Sequence, residues 1–77
     1  MSWDYRFVQV EVQDWTCLTT TEVGLYEVYY DEAGKPISRT VEPATIVGDT
    51  LEDAASALLA ATDALRKPLL LDEEIGS

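Results

Sequence analysis

The chain is short and acidic: 77 residues carry 15 acidic and 5 basic side chains, for a formal net charge of −10. We expect one small domain with a marginal core, because a chain of this length buries only about 60% of its unfolded surface. The charge argues against direct nucleic-acid binding and against anionic membranes, since phosphate groups would repel it. An apolar content of 47% is typical of a folded protein rather than of a disordered acidic tail.

The residue types also limit the chemistry and the location. The chain has no histidine, and Cys17 is its single cysteine, so neither an internal disulfide nor a cysteine-built zinc site is expected. The first residues lack a basic segment followed by an apolar one, and no run approaches the roughly 20 apolar residues of a membrane span. We therefore expect a cytoplasmic protein with no cofactor, no metal and no membrane contact.

Alternating apolar and polar residues predict three strands. Their expected ranges are 5–13, 23–31 and 37–42. The threonine-rich residues 14–22 have no clear period, and they fit either a wide connection or the frayed start of the second strand. Gly34 and Pro36 in the segment DEAGKP predict the turn of a hairpin between the second and third strands. Pro43 ends the third strand because it cannot donate a hydrogen bond to the sheet.

After Gly48 the apolar period changes from two to 3.6, which predicts a helix over about 51–66. Thr50 is a favourable N-cap, and Pro68 closes the helix. An acidic tail at 72–77 follows three leucines that are too apolar for a free end. Those leucines would either pack back over the sheet or be covered by a second copy of the chain.

These elements predict an α+β fold: a three-stranded antiparallel meander with one C-terminal helix packed on one face, in the order β-β-β-α. The helix is expected to cover the face that carries Val8, Val10, Val12, Tyr26, Val28 and Tyr30. The opposite face would carry Tyr5, Phe7, Leu25 and Tyr29. This second group is too apolar to be left to water in a stable monomer, which favours a covering partner.

The side chains do not form a recognisable catalytic set, so we expect no enzymatic activity. Nucleophilic catalysis lacks its usual histidine base, and Cys17 fits a small buried or half-buried apolar residue. The carboxylates of Asp49, Glu52 and Asp53 are accounted for by capping and by the positive end of the helix dipole. Two arginines expected within the sheet, Arg6 and Arg39, are predicted to pair across strands with Glu27, Glu11 or Glu42.

The sequence carries two resemblances. Residues 26–70, with their tyrosine-rich strand, DEAGKP turn, GDTLED helix start and KPLL end, resemble a group of short, uncharacterised bacterial proteins. The helix start Gly48, Asp49, Thr50, Glu52 and Ala54 also resembles the GDT-x-E-x-A motif of the HicB-like antitoxin domain. This second resemblance implies a partial ribonuclease-H-like β-β-β-α fold that binds and blocks a partner protein.

The favoured interpretation is a non-catalytic protein-interaction module, antitoxin-like or inhibitor-like, that binds a protein partner, itself as a homodimer, or both. The alternative is an acidic phage or mobile-element inhibitor that mimics nucleic-acid charge toward a bacterial defence complex, as anti-CRISPR proteins do. The predicted partner or dimer surface comprises Tyr5, Phe7, Leu25, Tyr29, Leu69, Leu70 and Leu71. The predicted acidic contact surface comprises Glu27, Asp31, Glu32, Glu42, Asp72, Glu73 and Glu74.

Overall fold

The computed structural model describes residues 2–76, which form one mixed four-stranded sheet with a helix, an α+β fold as predicted. The strands are β1 (Ser2–Gln13), β2 (Thr19–Tyr30), β3 (Pro36–Arg39) and β4 (Leu70–Leu71). The helical segments are α1 (Leu51–Thr62) and two 3₁₀ helices, Asp63–Arg66 and Asp72–Glu74. Among these residues no helix is both long and apolar enough to cross a membrane.

The sheet has the strand order β3-β2-β1-β4. β1, β2 and β3 are consecutive antiparallel neighbours, while β4 runs parallel to β1 at the other edge, with Leu70 beside Val8 and Leu71 beside Gln9. The predicted meander therefore accounts for three of the four strands. A two-residue strand is too short for its alternation to be visible in a sequence.

Both β-turns depend on an aspartate. Between β2 and β3, Asp31 Oδ1 accepts hydrogen bonds from the backbone N–H groups of Ala33 and Lys35, and Gly34 has the positive φ of 81° that such turns require. This confirms the predicted hairpin. Between β1 and β2, Asp14 Oδ1 accepts from Leu18 in the same way.

The β1–β2 turn is tighter than the wide connection considered for residues 14–22. Asp14 Oδ1 also accepts hydrogen bonds from the backbone N–H and the hydroxyl of Thr16, which holds the pKa of this carboxyl below its usual value. Cys17 closes the turn with a φ of 66° and is exposed, so the expectation of a buried or half-buried apolar residue is wrong. Because the turn is short, β2 begins at Thr19, four residues before the predicted start.

Helix α1 begins where the sequence predicts. The Asp53 N–H donates to Thr50 Oγ1 at 3.2 Å, which satisfies one of the free donors at the helix start. The helix keeps its α geometry only as far as Thr62, and the remaining predicted residues tighten into the 3₁₀ helix Asp63–Arg66.

The core lies on one face of the sheet, which we call the valine face. It consists of Val8, Val10, Tyr26 and Val28, with Leu70 and Ile75 packed against it. Val8 and Val28 are fully buried. The cover on this face is the C-terminal segment after β4, which crosses the sheet until the Gly76 N–H donates to the Pro36 carbonyl at 3.1 Å.

Helix α1 lies over the opposite, aromatic face, which carries Trp3, Tyr5, Phe7, Leu25 and Tyr29. A cavity is lined by Phe7 and Leu25 from the sheet together with Leu58 and Ala61 from the helix. The prediction that the helix covers Val8, Val10, Val12, Tyr26, Val28 and Tyr30 is therefore wrong. Both sheet faces are apolar, so the strand pattern alone does not select the one that the helix covers.

Candidate functional site: a projecting hairpin arm and its polar support

The β1–β2 hairpin extends well beyond the rest of the sheet. We call residues 11–22 the hairpin arm; all of them are exposed except Val12, which is half-buried against the core. β4 pairs with β1 only at Val8 and Gln9, and β3 pairs with β2 only from Val28 to Tyr30. The arm is therefore a two-stranded ribbon that the other strands do not flank.

An exposed tryptophan stands at the tip of the arm. The Trp15 side chain is 94% exposed, and Leu18 on the same turn is also exposed. Tryptophan is enriched among the residues that dominate protein interfaces, because its large rigid surface gains much on burial. Sequence reasoning left this segment open, although the combination of one tryptophan with a turn-forming aspartate was a usable signal.

The free edges of the arm are a second feature of binding surfaces. An edge strand presents unpaired backbone N–H and C=O groups, which natural proteins usually cover or blunt. An incoming extended peptide pairs with such an edge by adding a strand to the sheet. The arm thus combines an aromatic anchor with available backbone groups.

The predicted partner surface is divided by the fold. Phe7 and Leu25 lie beside α1, and Tyr5 is half-buried with its ring packed edge-on against Trp3 at a centroid distance of 5.3 Å. Tyr29 is half-buried on the same face. The three leucines lie elsewhere: Leu69 is exposed, while Leu70 and Leu71 form β4. Leu70 and Leu71 therefore extend the sheet edge, and Leu70 also packs against the core of the valine face, as one of the two predicted alternatives has it.

The predicted acidic contact surface is divided in the same way. Asp31 accepts backbone hydrogen bonds in the β2–β3 turn, and Asp72 is paired with Arg39. Glu27 is half-buried opposite Tyr5. The exposed members of the set are Glu32, Glu42, Glu73 and Glu74.

A polar network on the valine face links three parts of the chain. Arg6, only 9% exposed, donates from Nη1 to the Tyr30 hydroxyl at 3.0 Å and from Nη2 to the Pro68 carbonyl at 2.8 Å. The Tyr30 hydroxyl donates to Asp4 Oδ1 at 2.6 Å, and Lys67 Nζ donates to Asp4 Oδ2. The network joins β1 to β2 and to the connection before β4, so it fixes the sheet from which the arm extends.

The network also sets two protonation equilibria. Burial, assisted by the hydrogen bond to Asp4, raises the pKa of Tyr30 above its usual value. The hydrogen bond to Asp4 raises the pKa of Lys67 as well. The predicted pairing of Arg6 with a glutamate is therefore wrong, because its partners are a phenol and a backbone carbonyl.

Arg39 holds the C-terminal segment in place. Its guanidinium lies over the Tyr26 ring, 4.7 Å from the centroid, and donates from Nε and Nη2 to the two carboxylate oxygens of Asp72, at 2.6 and 3.1 Å. This bidentate pair lowers the pKa of Asp72 and raises that of Arg39. Arg39 is thus paired with Asp72 rather than with a glutamate on a neighbouring strand.

Acid is expected to loosen this segment. Because the pKa of Asp72 is lower in the folded state than its ordinary value of 3.8, the pair stabilises the fold above about pH 4 and loses its effect as the pH falls through the folded value. The contribution is at most about 1 kcal/mol, since the Asp72 side chain is 41% exposed. Amide exchange of Gly76 measured between pH 6 and about pH 3 tests this, with Asp72→Asn as the control. An identical acid-induced rise in that control, after correction for intrinsic exchange, would contradict the assignment.

Within residues 2–76 no group of three or more histidine, cysteine, aspartate or glutamate side chains is placed to hold a metal ion. A second cavity, of about 320 Å³, lies between the sheet and the C-terminal segment and is lined by residues such as Gln9, Glu11 and Glu73. No protein-family model matches the chain, and neither a curated protein nor a solved structure shows significant similarity to it.

Proposed function

We propose that the chain is a non-catalytic protein-interaction module that acts as an antitoxin-like or inhibitor-like binder and as a homodimer. The single observation that carries the proposal is the hairpin arm, a two-stranded ribbon with free edges and with Trp15 94% exposed at its tip. A two-stranded ribbon is at best marginally stable on its own. Trp15 is exposed at its tip rather than packed against the sheet, so it does not stabilise the ribbon. Burial of the Trp15 side chain against a partner protein accounts for its position.

The strand order supports the antitoxin-like part of the proposal. β1, β2 and β3 form an antiparallel meander that leads to the capped helix start at Thr50, which is the β-β-β-α order of the HicB-like domain. β4 is an addition to that pattern. In this proposal the sheet and helix serve as a rigid base, and the partner is blocked by the surface that the arm presents.

The binding test uses the arm directly. Tagged wild-type protein and a Trp15→Ser variant would be used to capture partners from cells of the source organism, with Val41→Ser as a matched control because Val41 is equally exposed but lies outside the arm. We expect a partner that the wild type and the control retain and that Trp15→Ser loses, with its Kd raised at least about 30-fold in a titration of the purified pair. A partner bound equally by all three proteins would contradict the assignment of the arm.

A second candidate, the acidic mimic of a nucleic acid, is favoured by how the fold uses its cations. Arg6, Arg39 and Lys67, three of the five basic side chains, are engaged in hydrogen bonds or ion pairs inside the structure. The positive charge of these three side chains is therefore used within the fold, while acidic residues such as Glu32 and Glu42 remain exposed. Binding to a cationic groove should weaken steeply as salt rises from 50 to 500 mM, and salt-independent binding would exclude this candidate.

A further inference from the structure

Helix α1 and the 3₁₀ helix that continues it bury some of their alanines and expose their leucines. Ala61 and Ala64 are buried, and Ala54 and Ala57 are half-buried. Three leucines, Leu51, Leu58 and Leu65, are 85, 53 and 73% exposed. An amphipathic helix that covers its own core normally buries its leucines, because a leucine gains more than an alanine on burial. We call these three residues the leucine stripe.

The stripe has the spacing of a helix–helix seam. Leu51 and Leu58 are seven residues apart in α1, so they lie along one side of it, as the d positions of a coiled coil do. Leu65 follows in the 3₁₀ helix and lines the same cavity as Leu58. Ala55 and Thr62 lie between them, and Leu59 lies at the margin. The small residues between the leucines allow a second helix to approach closely.

Next to the stripe is an open apolar notch between helix and sheet. Its volume is about 160 Å³, and it is lined by Phe7, Leu25, Ile46, Leu58, Ala61, Thr62 and Leu65. A cavity of about 150 Å³ accommodates a benzene-sized group. The notch is therefore large enough to accept one leucine side chain from another molecule.

The exposed surface area of the chain is larger than that of a compact protein of the same mass. The chain exposes 5654 Å², whereas a compact monomer of 8.5 kDa exposes about 4,700 Å². The excess of about 1,000 Å² includes the exposed hairpin arm as well as the leucine stripe, and a standard interface takes roughly 800 Å² from each partner. The radius of gyration of 13.8 Å likewise exceeds the roughly 11.5 Å expected for 77 residues.

The charges beside the stripe fit a second copy in antiparallel orientation. Arg66 lies at one end and Glu52 at the other, while the acidic residues Asp53 and Asp63 are placed away from the stripe. When two such helices are antiparallel and centred on Leu58, each Arg66 lies within one turn of Glu52 on the other copy. A parallel arrangement would place Glu52 beside Glu52 and Arg66 beside Arg66.

We propose that a second copy of this chain packs its own α1 antiparallel against the leucine stripe, with Leu58 at the two-fold axis and Leu51 facing Leu65 of the other copy. The stripe is self-complementary, as an interface between identical subunits requires. This proposal deepens the homodimer part of the proposed function and does not involve the arm. The −10 charge on each copy opposes association, so the dimer should strengthen, rather than weaken, as salt is added.

Sedimentation equilibrium of the wild type and of Leu58→Ser, with Leu18→Ser as a control on the arm, tests the seam. We expect the wild type and the control to sediment at twice the chain mass of 8.5 kDa. Leu58→Ser should raise the dimer Kd about 100-fold, because the substitution occurs twice in each dimer. Its far-UV circular dichroism should match the wild type, since Leu58 is half exposed. A monomeric wild type, or a Leu58→Ser dimer of unchanged Kd, would overturn the proposal.

A charge exchange tests the orientation separately. Arg66→Glu alone should weaken the dimer about 10-fold, and Arg66→Glu combined with Glu52→Arg should restore it. Failure of the double variant to recover would refute the antiparallel arrangement. Trp15→Ser should leave dimerisation unchanged, so loss of partner binding and loss of the dimer are distinguishable results.

Discussion

Replacing Arg6 by methionine is expected to lower the free energy of unfolding by about 2 kcal/mol. The substitution removes two charge-assisted hydrogen bonds, to the Tyr30 hydroxyl and to the Pro68 carbonyl, each worth about 1.5–3 kcal/mol. It also removes the buried Arg6 Nε, which has no hydrogen-bond partner among the described residues and so costs the folded state some desolvation energy. The two lost bonds outweigh this relief, because Pro68 and Tyr30 keep polar atoms that methionine does not satisfy.

Thermal or urea unfolding of Arg6→Met measures the effect, which corresponds to a Tm lower by roughly 10 °C in a domain of this size. Lys35→Met is the control, since Lys35 is exposed and its replacement should change the unfolding free energy by no more than about 0.5 kcal/mol. The unfolding free energy of Arg6→Lys should lie between those of these two variants, because one ammonium group does not reproduce the geometry of the guanidinium. Equal stability of Arg6→Met and Lys35→Met would show that the network has no net stabilising role.

Local signals in the sequence predicted the local structure well. Thr50 marks the helix start because its side chain satisfies a free donor of the first turn. Gly34 marks the β2–β3 turn because its positive φ strains other residues. These features depend on neighbouring residues alone, so one sequence is sufficient to recognise them.

The pairing of faces was not predictable in the same way. The strands carry valines on one face and aromatic residues on the other, and the helix carries alanines on one side and leucines on another. The sequence pattern alone favours packing the most apolar side of the helix against the most apolar face of the sheet. The fold instead packs the alanine side of α1 against the aromatic face. Close approach of the helix and the path of the connection 40–50 from β3 both affect this choice, and both depend on the three-dimensional path of the chain.

Only part of the candidate site was predictable from the sequence, again because the rest depends on how distant elements are arranged. Phe7 and Leu25 were recognised as surplus apolar residues, and they line the notch beside the leucine stripe. The hairpin arm was not recognised, since residues 14–22 lack a period and the threonines at 19–21 fit either a strand or a loop. That the arm projects is visible only once the lengths of β3 and β4 are known, because it is their shortness that leaves it unflanked.

Replacing Ile75 by aspartate is expected to lower the free energy of unfolding by about 2 kcal/mol, an unusually large effect for a residue so near the end of a chain. Ile75 packs against the core of Val8, Val10, Tyr26 and Val28, and the segment that carries it is the cover of the valine face. A carboxylate at this position either enters an apolar environment or draws the segment away and exposes the valines. Urea unfolding followed by circular dichroism measures the loss, and retention of Gly76 amide protection would show that the segment stays docked.

Val41→Asp supplies the control, since Val41 is an aliphatic residue that is 86% exposed and should tolerate a charge within about 0.5 kcal/mol. The comparison distinguishes the C-terminal segment from α1 as the cover of the valine face. If α1 covered the valines, Ile75→Asp would behave like the control, and a charge at buried Ala61 would disturb the packing of Val8 and Val28. In the fold described, Ile75→Asp exposes those valines, whereas a charge at Ala61 disturbs Phe7 and Leu25. Methyl chemical shifts of Val28 and Leu25 in the two variants therefore identify the cover of each face independently of overall stability.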